Sequence, residues 1–105
     1  MNAINQDIET LVQKELESAN KKFPSTFRSR HEAYGVMLEE FEEALGELGE
    51  CEYCLNTFKK AMKLDGMINE ENFLLKMKEH AENLMAEAGQ LAAMAQKTLD
   101  SEKEW

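Results

Sequence analysis

A chain of 105 residues with 43% hydrophobic content can build one small core, so a single domain over residues 1–105 is the expected organisation. Its formal charge of −9 excludes a nucleic-acid backbone or an anionic membrane surface as the main partner, because both would repel it. No run approaches the roughly 18 apolar residues of a membrane span, and the N-terminal stretch lacks the charged start and apolar block of a signal peptide. A cytoplasmic address is therefore expected, where Cys51 and Cys54 would stay reduced.

One proline and five glycines interrupt a chain otherwise rich in Glu, Leu, Lys, Ala and Met, which makes an all-α fold the natural reading. Ile4, Ile8, Leu11, Val12, Leu16 and Ala19 recur at helical spacing and predict a first helix from about Asn5 to Lys21. Phe23-Pro24 ends it, since a residue before proline avoids the α region. Ser29 followed by Glu32 has the form of a capping box and starts a second helix. That helix carries Ala33, Tyr34, Met37, Leu38, Phe41, Ala44, Leu45 and Leu48 as its apolar side. Gly46 and Gly49 each cost about 1 kcal/mol inside a helix, so a break or bend is expected near GELGE. The stripe resumes with Cys51, Cys54, Leu55, Phe58, Ala61 and Met62 and closes at Asp65-Gly66, with Gly66 as a left-handed cap. Asn69 can cap a last helix whose first turn holds Glu70 and Glu71, and which runs to about Leu99 before a charged, frayed tail ending in Trp105. Short loops make successive helices antiparallel neighbours. The result is a bundle of three to four helices with uncovered apolar edges, completed by homo-oligomerisation as a homodimer or tetramer.

Five carboxylates, Glu32, Glu39, Glu40, Glu42 and Glu43, crowd HEAYGVMLEEFEEA between His31 and Ala44. Residues three and four apart are neighbours on a helix, so Glu39 or Glu40 with Glu43 repel unless a cation sits between them or water screens them. On a helical wheel most of these acids oppose the apolar side, as a solvated face would, but Val36 lies among them and marks partial cover. In the last helix Met77, His80, Leu84, Glu87, Leu91 and Met94 follow the alternating three-and-four rhythm of an inward seam. Glu87 stands where Leu is expected. A carboxylate there is paired, binds a metal or is held neutral, because burying its isolated charge is too costly.

HEAYGVMLEEFEEAL, with Glu39-Glu40-x-x-Glu43, followed after a spacer by EAGQLAAMAQK from Glu87 to Lys97, resembles the MazG-like all-α nucleoside triphosphate pyrophosphohydrolases, particularly the short forms of phages and prophages. The resemblance implies that an EExxE helix and an ExxD helix converge on Mg²⁺, with Mn²⁺ as a substitute, and that a nucleoside triphosphate, ribo or deoxy, is cleaved to the monophosphate and pyrophosphate. Position by position, Glu39, Glu40 and Glu43 match the first motif and Glu87 the first acid of the second, which makes these four the implied metal ligands. Gln90 stands where the family has aspartate, and the spacer is longer than usual. Glu43 or Glu40 is the implied residue that orients or deprotonates the attacking water.

Lys22, Arg28 and Arg30 lie just ahead of the acidic helix, and guanidinium forks suit phosphate, although ordinary solvated charges explain them as well. Phe23, Phe27 and Tyr34 could stack on a base or simply staple the core. Cys51-x-x-Cys54 lacks the second ligand pair a zinc site needs and the βαβ setting of a redox pair, so both thiols read as small core residues. Two functions stand: a Mg²⁺-dependent nucleotide pyrophosphohydrolase acting on a nucleoside triphosphate, and a non-catalytic helical interaction module in which the same acids are solvated.

Overall fold

The computed structural model describes residues 4–64 and 70–105. Among them the chain is helical, with α1 (Asn5–Lys22), α2 (Arg30–Leu64) and α3 (Glu70–Glu102) and no strand. No helix among the described residues is long and apolar enough to cross a membrane. The chain forms two compact units: one from its N-terminal part up to Phe41 together with Glu87–Trp105, the other from Glu42–Ala86.

Local signals account for the helix ends of the first unit. Phe23 leaves α1 in extended conformation (φ −133°, ψ 164°) while its N–H still donates to Ala19 O at 3.0 Å, and Pro24 forbids another turn. At the start of α2 the Ser29 hydroxyl accepts from Glu32 N–H at 3.2 Å, the serine half of a capping box. The reciprocal half is shifted by one residue: Glu32 accepts from Arg28 N–H at 3.3 Å. The core of this unit is Leu16, Phe27, Ala33, Ala93 and Met94, with Val12, Ala19, Val36 and Met37 packed against it. Gly89 faces α1, where an added Cβ would lie 3.4 Å from Leu11 Cδ2.

The C-terminal end departs from the sequence expectation. It is docked rather than frayed: α3 continues to Glu102, and Ser101 is completely buried. Trp105 Nε1 donates to Phe27 O at 3.1 Å, and the Arg30 guanidinium lies 5.8 Å from the Trp105 ring centre. Phe27 N–H donates to Ser101 Oγ at 2.8 Å. Side chains of the chain end thus satisfy both backbone groups of Phe27 in the α1–α2 linker.

The second unit is an antiparallel pair formed by the later part of α2 and the earlier part of α3. Ala44, Cys54 and Ala61 are buried on α2, and Phe73, Met77, His80 and Leu84 are half-buried on α3. The break expected near GELGE is absent, and α2 runs unbroken from Arg30 to Leu64. A Cβ at Gly46 or Gly49 would meet nothing within 4 Å, so neither glycine answers a packing need. Their cost, about 1 kcal/mol each, is outweighed by continuing the buried row on both sides. The expected caps at Asp65-Gly66 and Asn69 lie outside the described residues.

Only part of the apolar side expected of α2 packs: Ala33, Met37 and Ala44 do, whereas Tyr34, Leu38, Phe41, Leu45 and Leu48 stay exposed. Besides half-buried Val36 and Thr57, the buried or half-buried positions are Ala33, Met37 and Glu40 in the first unit and Ala44, Glu47, Cys51, Cys54, Phe58 and Ala61 in the second. They alternate at four and three residues, the spacing of a helix seam. The larger stripe stays exposed, with Tyr34 64%, Phe41 50% and Leu48 53% accessible. Small side chains let a neighbouring helix approach closely, and Ala33 (1% exposed) and Ala93 (0%) are both enclosed in the core of the first unit.

Candidate metal site and cleft

The seam of α2 carries Glu40 to a half-buried position, and the seam of α3 does the same for Glu87. One carboxylate oxygen of each lies within 4.8 Å of the other. Glu43 follows Glu40 by three residues on α2 and is exposed. Two of the four acids expected at a metal, Glu40 and Glu87, therefore offer ligand atoms within the first unit. Glu39 is exposed and lines the adjoining cleft.

Gln90 is the residue that departs from the ExxD pattern, and it sits between the two seam acids. The atom of its amide that faces them lies 2.9 Å from Glu40 Oε2 and 3.3 Å from Glu87 Oε2. With nitrogen in that place it donates to both carboxylates and offsets their repulsion; with oxygen there, three oxygens converge as they would around a cation or a shared proton. The donor set fits Mg²⁺, which takes hard oxygens at about 2.1 Å and keeps several waters. Two oxygens on one such ion stand roughly 3.0 to 4.2 Å apart. A separation below 4.8 Å is within a small side-chain adjustment of that range.

Next to this pair, wholly within the first unit, opens a cleft of about 610 Å³. Glu39, Glu40 and Gln90 line one part of it, and Phe23, Phe27 and Met94 give it an apolar wall. Lys22 and Arg28 also reach it, as the sequence suggested for phosphate recognition. Arg30 does not line it and stacks on Trp105 instead. Tyr34 is exposed and takes no part in the wall.

Lys97 was not visible as a functional residue in the sequence. It lines the cleft yet is 3% exposed, with its ammonium 4.7 Å from the centre of the Phe27 ring. Burial pushes its pKa below the usual lysine value, and the charge of Glu32 counteracts part of that shift. The available signal was position: Ala93, Lys97 and Ser101 form one row at i+4 spacing, and Lys97 interrupts it as Glu87 interrupts the seam.

In the second unit His80 Nδ1 lies 2.7 Å from Glu47 Oε2, so the imidazole pairs with Glu47. Cys54 is buried and Cys51 half-buried, both as free thiols. Cys51 Sγ lies 3.9 Å from Met77 O. This is the packing expected of small core residues.

No family model, curated protein or solved structure matches this chain.

Proposed function

We propose that this protein is a Mg²⁺-dependent nucleoside triphosphate pyrophosphohydrolase, resembling the short MazG-like enzymes of phages and prophages. The observation that carries the reading is the approach of Glu40 and Glu87, two half-buried carboxylates on different helices, within 4.8 Å at the edge of a cleft. Two carboxylates at that distance are ligand atoms from separate helices set close enough for one small divalent ion, and their hard-oxygen chemistry is what such an ion takes.

Glu40 and Glu87 supply two ligand oxygens, and Glu39 and Glu43 are the further acids that the resemblance implies. Bound there, Mg²⁺ would polarise a phosphoryl oxygen and neutralise charge as pyrophosphate leaves. Glu43, the exposed member, or Glu40 accepts the proton of the attacking water. Lys22 and Arg28 receive phosphate oxygens on the far side of the cleft, and the Phe23 and Phe27 wall accommodates the apolar faces of a base. Exposed Tyr34, Leu38 and Phe41 form an apolar stripe on α2 that a second copy of the chain covers in a homodimer, or in a tetramer built from it.

A second reading is favoured by Gln90. An amide that donates to both acids does, weakly, what a cation does, and a chain that has exchanged aspartate for such a bridge can keep the fold as a non-catalytic interaction module. Pyrophosphate release from a panel of ribo- and deoxynucleoside triphosphates, with and without Mg²⁺ or Mn²⁺, separates the two. The enzyme reading expects metal-dependent release that Glu43→Gln and Glu87→Gln each abolish with helicity unchanged. No release from any triphosphate rejects it.

A further inference from the structure

Lys97 presents a problem that the metal site does not solve. Its side chain is almost wholly enclosed in the wall of the cleft, and enclosure of an ammonium is costly unless a counter-charge or several acceptors meet it. Among the described residues its ammonium has the face of Phe27 and no carboxylate within ion-pair distance. Glu32 is near enough to act on it through space, but that carboxylate already receives Arg28 N–H at 3.3 Å and lies 3.9 Å from Arg28 Nε.

The surroundings hold the lysine in place. Ser101 Oγ donates to Lys97 O at 2.7 Å and accepts from Phe27 N–H at 2.8 Å, so one hydroxyl ties the lysine's backbone to the residue whose ring it faces. Trp105 Nε1 secures the other side of Phe27 through its carbonyl. A charged group set into a cavity wall, fixed by its neighbours and left without a charge partner, is an arrangement a ligand completes.

We propose that the Lys97 ammonium is the receptor for an oxyanion, a phosphate or carboxylate group of a small ligand lodged in the cleft beside Phe27. An entering oxyanion accepts one or two charge-assisted hydrogen bonds from the ammonium, which are stronger than bonds between neutral groups. Arg28, 91% exposed at its side chain, adds only a screened attraction at the rim. The recognition needs neither metal nor hydrolysis, so it stands or falls separately from the enzymatic reading.

The test is done in EDTA at neutral pH, titrating inorganic phosphate, pyrophosphate and acetate into the full chain by calorimetry and following the Lys97 Cε and Hε signals by NMR. The account expects saturable binding of at least one of the three, movement of the Lys97 signals on titration, an affinity loss of tenfold or more in Lys97→Met, and a change below threefold in Lys103→Met, an exposed lysine that does not line the cleft. Phosphate or pyrophosphate binding alone identifies a phosphorylated ligand, and acetate binding of similar strength a carboxylate. Circular dichroism of Lys97→Met must match the wild type; if that variant misfolds, the NMR titration of the wild type decides. Unmoved Lys97 signals, or an affinity for Lys97→Met within twofold of wild type, overturn the proposal.

Discussion

Replacing Ser101 by alanine removes the one hydroxyl that joins the chain end to the α1–α2 linker. Ser101 is 0% exposed, and its Oγ accepts from Phe27 N–H at 2.8 Å while donating to Lys97 O at 2.7 Å. Lys97 O keeps an intrahelical partner in Ser101→Ala, so its loss is small. Phe27 N–H keeps none, and a buried unpaired donor costs about 1–3 kcal/mol. Alanine returns roughly 0.5 kcal/mol through its higher helix propensity. The net expectation is a destabilisation of about 0.5–2.5 kcal/mol, read from urea unfolding at unchanged m-value. Thr98→Ala is the control, because Thr98 Oγ1 makes the same bond to its own helix, with Met94 O at 2.8 Å, but accepts from no linker amide. It should stay within about 0.5 kcal/mol of the wild type. Amide exchange at Phe27 should accelerate in Ser101→Ala alone. Equal stability of the two variants would refute the reasoning.

Gly46→Ala and Gly49→Ala should each raise the unfolding free energy by about 1 kcal/mol, since a Cβ meets nothing at either site and the helix is continuous; a loss of stability would point to a bend there. Because burial holds the Lys97 pKa below 10.5, the unfolded chain binds more protons than the folded one between the two values. Stability of the wild type relative to Lys97→Met should therefore rise as pH climbs from neutral towards 10.5, and thermal melts showing a flat or falling difference would contradict this. Gln90→Asp places a third carboxylate against Glu40 and Glu87 in exchange for the bridging amide. It should lower the melting temperature in EDTA and raise it above wild type in Mg²⁺; insensitivity to both would dissociate Gln90 from the metal site.

Much of the local structure could be read from the chain because its signals are local. Phe23-Pro24 stops α1, Ser29 caps α2, and the seam Met77 to Met94 on α3 follows from spacing alone. The face of α2 was harder. Two interleaved stripes share the four-and-three rhythm, one of large residues at Tyr34, Leu38 and Phe41 and one of Ala33, Met37 and Glu40, and side-chain size favours the first while close helix approach selects the second. That choice also decides the site, because it turns Glu40 from an acid opposite the core into an acid in the seam. GELGE misled for a related reason: propensity counts glycine against a helix, but packing on either side carries α2 through. Contacts such as Trp105 with Phe27 join residues 78 apart and leave no periodic trace. Lys97 was hidden because one basic residue in an apolar row resembles a surface lysine until its burial is known.

The central claim is that Glu40 and Glu87 share a divalent cation, and urea unfolding in EDTA against saturating Mg²⁺ tests it most directly. A cation bound only by the folded chain adds about 2.7 kcal/mol at a concentration a hundredfold above its dissociation constant. The account predicts a Mg²⁺-dependent gain of that order in the wild type, lost in both Glu40→Gln and Glu87→Gln. A wild type indifferent to Mg²⁺, or variants that gain as much as it does, would contradict it.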